Sequence, residues 1–168
     1  ERWVDPDDSS SNSLMLRNTL LLNGPASKAN FLSVPTTELS SPEDSSKALT
    51  ELLKKTFKSD NPIFDLILLG LGDDGHTASL FPGTNSLFES EKLITVSEGK
   101  GMPRITFTSK LLCAAVNVIF LVSGASKQIP LKRLIDNNES VERTPAKLVQ
   151  PTNGNVYILA DELAANLI

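Results

Sequence analysis

The 168-residue chain contains one cysteine, one histidine, one tryptophan and one tyrosine, and aromatic residues make up 5% of it. A single cysteine, Cys113, permits no internal disulfide, so a reducing, cytoplasmic compartment fits. Cys113 sits in the apolar run 111–118 and reads as a small buried hydrophobe. One histidine and one cysteine cannot supply the clustered ligands of a structural zinc site. Long apolar runs are also missing. No stretch approaches the roughly 18 residues that a membrane span needs, and the opening ERWVDPDDSS lacks the pattern of a signal peptide. Positive charge is in short supply too: 16 Lys and Arg stand against 20 Asp and Glu, a net charge of −4, which argues against nucleic acid as a partner. There is no internal repeat or low-complexity tract, and nothing specifies an oligomeric state.

What is there describes an ordinary globular domain, with 40% hydrophobic and 21% charged residues in a length sufficient for one core. A helix is expected over 12–22, with Ser11 as cap and Asn23-Gly24-Pro25 as stop. A short strand is expected over 31–34. The best-signalled helix begins with Ser41 as cap, Pro42 at the first helical position and Asp44 in the first turn; Leu49, Leu52, Leu53 and Phe57 then recur at helical spacing. Further strands are expected over 64–69, 93–96, 104–108, 118–122 and 156–159, and helices over 109–115, 127–135 and 160–167. The run VIFLV at 118–122 suits a central parallel strand. Strands alternating with helices predict an α/β fold: a mostly parallel open sheet with flanking helices, Rossmann-like and three-layered.

The chemistry concentrates in residues 65–83, DLILLGLGDDGHTASLFPG. The apolar segment 66–69, closed by Gly70, reads as a strand buried on both faces. Gly70, Gly72 and Gly75 let the backbone turn and leave room for a ligand against the main chain. His76 then arrives where the strand ends and a short helix is expected, the end of an open α/β sheet at which ligands bind. A histidine there is a candidate general base, and Asp74, two residues earlier, can fix its tautomer. Residues 70–75 also spell G-x-G-x-x-G, but Asp73 and Asp74 put negative charge where a pyrophosphate would sit, and no acidic ribose ligand follows the next strand. A metal held by Asp73, Asp74 and His76 is possible on ligand types but lacks a second histidine or a cysteine cluster. Three cations stand at strand ends or loop starts: Arg2, Arg104 and Lys127. Lys127 follows the small-residue loop 123–126 at a helix start, where backbone amides and an ammonium can hold an anion together. Arg2 and Arg104 would join it if their strands share the C-terminal edge of the sheet.

Several blocks resemble the 6-phosphogluconolactonase family, within the group related to glucosamine-6-phosphate deaminase. Glu1-Arg2-Trp3-Val4 is similar to the tail of a D-E-R motif, and Ser11-Asn12 to the S-N after it. Residues 68–83, LLGLGDDGHTASLFPG, resemble the family signature, and Pro103-Arg104-Ile105-Thr106 and Ser123-Gly124-Ala125-Ser126-Lys127 resemble two further blocks. The resemblance implies hydrolysis of the δ-lactone of 6-phosphogluconate, a small phosphorylated sugar lactone of the pentose phosphate pathway, with no metal or organic cofactor. It implies His76 as the base, with Asp74, Gly72 and Gly75 shaping its loop. It also implies Arg2, Arg104 and Lys127 on the phosphate, and Asn12 lining the pocket. A deaminase-like isomerase would follow the histidine with I-A-F-N-E-P, where this chain has Thr77-Ala78-Ser79-Leu80-Phe81-Pro82. A non-catalytic sugar-phosphate-binding homologue is a further alternative. Relatives of this kind carry an additional N-terminal portion, so the expectation for residues 1–168 is a single lactonase-like domain, incomplete at its N-terminus.

Overall fold

A computed structural model describes residues 1–22 and 24–168. The described residues form strands β1 (Ile67–Gly70), β2 (Ile94–Gly99), β3 (Met102–Phe107), β4 (Asn117–Val122) and β5 (Asn155–Ala160). Helices α1 (Asn12–Leu16), α2 (Pro42–Phe57), α3 (Ser109–Leu112), α4 (Gln128–Ile135) and α5 (Glu162–Ala165) lie between and around them. β1, β4 and β5 make a parallel sheet in that spatial order. The apolar run 118–122 is its central strand, as its composition predicts. β2 and β3 pair separately as an antiparallel hairpin, from Ile94 opposite Phe107 to Gly99 opposite Met102. Lys100 and Gly101 turn the hairpin with φ of 56° and 77°, the pattern of a two-residue type I′ turn.

Helix α2 forms as its sequence dictates. Ser41 Oγ accepts a hydrogen bond from the Asp44 amide at 3.1 Å, Pro42 opens the helix, and Lys58 leaves it at φ 52°. Its buried Leu49 and Leu53 pack with Ile94, Ile105 and Leu111 under the hairpin. Helix α1 is capped by Ser11 Oγ, which accepts from the Leu14 amide at 3.1 Å. Residues 17–21 continue it in wider π turns, with the Leu22 amide donating to Arg17 O at 2.9 Å. Of the expected stop signal, Asn23 lies outside the described residues.

Three local expectations are corrected. Residues 31–34 are irregular rather than a strand, because no neighbouring strand pairs with them among the described residues; Phe31 and Leu32 are left partly exposed. No helix starts directly after His76. Ala78 takes φ 49°, which a right-handed helix cannot contain, and the Leu80 amide closes a turn onto Thr77 O at 2.9 Å. The first helical turn there, of the 3₁₀ type, comes at Asn85–Phe88. Finally, β1 is buried on one face only. Ile67 and Leu69 join Val118, Phe120, Leu112, Leu131 and Ala164 in the core beneath α3, α4 and α5, whereas Leu68 is 58% exposed on the opposite face with Leu121 and Leu159. Cys113 is likewise half-buried, and burial raises its thiol pKa.

Among the described residues no helix is long and apolar enough to cross a membrane. The packed face carries the stability. Leu131 is fully buried against it, so Leu131→Ala should cost about 2–5 kcal/mol of unfolding free energy, read as a lower denaturant midpoint.

Candidate active site

The glycine loop is folded around the histidine. At the end of β1 the chain turns so that the Gly72 amide donates to His76 O at 2.8 Å, and the Gly75 amide to Gly72 O at 2.9 Å. The imidazole lies against the Gly72 Cα so closely that a Cβ there would come within 2.0 Å of Nδ1. Gly75 adopts φ 88°, with Thr144 filling the space beside it. Asp74 then accepts from the His76 amide at 3.0 Å, and its Oδ1 stands 2.5 Å from Nδ1. An ionised carboxylate can only accept, so Nδ1 carries the proton and Nε2 is left as the basic nitrogen. Burial alone would raise the Asp74 pKa. The hydrogen bonds from the His76 amide and ring outweigh it, and the carboxyl lies below its ordinary value. The other side of the imidazole rests on Phe81, ring centroids 4.3 Å apart.

Two arginines are brought together by backbone pairing. Glu1 exchanges both main-chain hydrogen bonds with Ile105, at 2.8 and 2.9 Å, and the Trp3 amide donates to Pro103 O at 3.0 Å. Arg2 is thereby set opposite Arg104, at a position of an antiparallel pair where side chains stand closest. The expectation that they meet at the edge of the parallel sheet is replaced by this one, because residues 1–3 extend the hairpin instead. Arg2 donates to Ser10 O at 2.6 Å and Asn12 Oδ1 at 3.1 Å. Arg104 is 6% exposed, donates from Nε to Gly99 O at 3.1 Å and lies over the Phe81 ring, 5.1 Å from its centroid. Burial, and then the charge of Arg2, depress its pKa. The nearby Glu1 carboxylate is spent on the amides of Arg2, Asn12 and Ser13 and on the Ser13 hydroxyl. Like charges side by side on a sheet are unfavourable, and an anion bound between them relieves the repulsion.

Lys127 closes a 3₁₀ turn, Ala125–Lys127, just before α4. Its ammonium is paired with the Asp73 carboxylate, which also accepts from Ser126 Oγ at 3.3 Å. A cleft of about 540 Å³ unites these groups: Arg2, Asn12, Gly72, His76, Arg104 and Lys127 all line it. Asp74 and Gly75 are not on its wall; the first holds the imidazole and the second packs on Thr144. Asp73 and Asp74 therefore diverge, one to Lys127 and the other to His76, so they do not converge on a shared metal position.

Two contributors escape the sequence reading. Lys100 lines the cleft from the hairpin tip, and its turn is signalled only by the Lys-Gly pair between two strands. Phe81 is the buried platform shared by His76 and Arg104; its sole sequence cue is a place in a motif otherwise read for its histidine.

A family model described as glucosamine-6-phosphate isomerases/6-phosphogluconolactonase matches residues 1–158. The chain is 40% identical over 170 residues to a 6-phosphogluconolactonase of Synechocystis, a match covering 99% of this chain and 70% of that protein. It is 37% identical over 172 residues to the human 6-phosphogluconolactonase, covering 100% of this chain and 66% of the human one. The chain thus spans about two thirds of the length of these relatives. Among solved structures, the 6-phosphogluconolactonase of Trypanosoma brucei superposes with a TM-score of 0.75 at 27% identity, over 99% of this chain and 71% of the other. The Shewanella baltica 6-phosphogluconolactonase superposes with a TM-score of 0.81 at 26% identity, over 95% and 68%.

Proposed function

The chain belongs to the glucosamine-6-phosphate isomerase/6-phosphogluconolactonase family, and on that premise we propose that it hydrolyses 6-phosphoglucono-δ-lactone to 6-phosphogluconate in a cytoplasmic setting. The observation that carries this reading is the cleft itself: a tautomer-fixed imidazole and two adjacent guanidinium groups line one space. The substrate's phosphate binds at the cations, which orients the sugar and brings its carbonyl to the far end, near His76. Nε2 of His76 takes a proton from a water molecule as the water oxygen attacks the lactone carbonyl carbon. The tetrahedral adduct collapses with rupture of the ring C–O bond. The departing ring oxygen takes the proton back from the imidazolium and becomes a hydroxyl. Asp74 stabilises the transient imidazolium through Nδ1 without itself taking the proton. Asn12 keeps Arg2 aimed, and Gly72 admits the ring that a larger residue would displace.

The test is acceleration of 6-phosphoglucono-δ-lactone hydrolysis above its spontaneous rate, compared with glucono-δ-lactone lacking the phosphate. A preference of about 100-fold or more in kcat/KM for the phosphorylated lactone is expected, because charge-assisted bonds to phosphate contribute about 1.5–3 kcal/mol each. Equal turnover of the two lactones would refute phosphate anchoring, and no acceleration of either would refute the activity.

A further inference from the structure

Asp73 has no part in the chemistry above, yet its carboxylate occupies the cation that the sequence singles out for anion binding. Lys127 is largely shielded, with 24% of its side chain exposed, whereas the Asp73 side chain is 68% exposed. Among the described residues Asp73 is the only carboxylate within ion-pair distance of the Lys127 ammonium. Asp73 sits on the cleft wall between Gly72 and the His76 loop, and Lys100 faces the same cleft from the hairpin tip. The hydrogen bond from Lys127, followed by its charge, draws the Asp73 pKa down, and Lys100 adds to the effect, so the carboxylate is ionised wherever the enzyme would work.

We propose that Asp73 is a displaceable counter-ion for Lys127. It holds the ammonium when the cleft is empty, yields it to the substrate's phosphate, and reclaims it as product leaves. The inference rests on the lactonase reading of the same cleft. Its physical logic is that ring opening adds a charge. The lactone carries one anionic group, the phosphate, and the product carries two, phosphate and carboxylate. A cleft with Arg2, Arg104, Lys100 and Lys127 on its wall would retain a product that bears two anionic groups. A tethered carboxylate competing for one cation limits that retention, and the exposed side of the Asp73–Lys127 pair keeps the exchange cheap. Asp73 thereby sets the balance between capturing a phosphorylated lactone and releasing a phosphorylated acid.

The test is product inhibition and direct binding in Asp73→Asn, which keeps the side chain's size and removes its charge. Isothermal titration with 6-phosphogluconate and with inorganic phosphate should show binding tightened about two- to fivefold, the range an exposed ion pair spans. Steady-state inhibition by 6-phosphogluconate should strengthen by the same factor. Asp73→Glu, which restores the charge, should return both towards wild type. The decisive comparison is made in a Lys127→Met background, where Asp73→Asn should no longer tighten binding. A gain that persists without Lys127 would mean that Asp73 acts only through the general field of the cleft, and would overturn the proposal. Unchanged or weaker binding in Asp73→Asn would overturn it as well. If the wild-type protein binds neither phosphate nor 6-phosphogluconate, the lactonase reading fails and this inference falls with it, whereas wild-type binding with no Asp73 effect removes this inference alone.

Discussion

Replacing His76 with glutamine should lower kcat for the phosphorylated lactone by about 100- to 10,000-fold, the range that a positioned general base contributes. Glutamine can still donate to Asp74 and fill the space against Gly72, so the loop has reason to hold its shape. It cannot take a proton from water. KM should move far less than kcat, because the cations proposed to bind the phosphate are elsewhere on the cleft wall. Progress curves corrected for spontaneous hydrolysis would show the loss, with thermal unfolding run in parallel. A folded His76→Gln protein with wild-type kcat would remove the histidine from the mechanism.

The second large effect belongs to Arg104. Arg104→Ala should reduce kcat/KM for the phosphorylated lactone by about 100-fold or more, mainly through KM, as expected when a charged hydrogen-bond donor to phosphate is removed. Turnover of the unphosphorylated lactone should fall much less. Because Arg104 is 6% exposed, bonds Gly99 O and covers Phe81, the alanine variant also loses packing. Arg104→Lys separates the two effects. It keeps the charge and much of the stem, yet gives up the planar fork that matches a phosphate, so it should recover stability more fully than KM. Equal losses on both lactones in the lysine variant would assign Arg104 to the architecture of the cleft rather than to the anion.

The elements that could be read from the residues are those whose signals are local. Helix α2 follows from Ser41, Pro42 and the Leu49–Leu53 spacing, and β4 from an unbroken apolar run. His76 and its partner Asp74 could be anticipated because both lie in one short glycine-rich loop, where a contact two residues apart is set by the local turn. The pairing of Arg2 with Arg104 could not, since it depends on which strand the first residues join, 102 positions apart in sequence. Continuous hydrophobicity likewise misleads at β1. A strand apolar on both faces is compatible with burial on both, but Leu68 is exposed because the helices of this chain pack on the other side. Residues 31–34 fail for a related reason: strand propensity is realised only when a neighbour offers a ladder.

Phe81 carries a consequence for how such a site can change over generations. One ring packs against both the imidazole and the Arg104 guanidinium, and the backbone at Gly99 sits so close to it that the ring has no room to retreat that way. Substitutions that retune anion preference by moving Arg104 therefore shift the ring under His76, and changes meant for the base shift the arginine. The effects of mutations at positions 76, 81, 99 and 104 should be epistatic rather than additive. A change at any one of these four positions is therefore conditioned on the residues held at the other three.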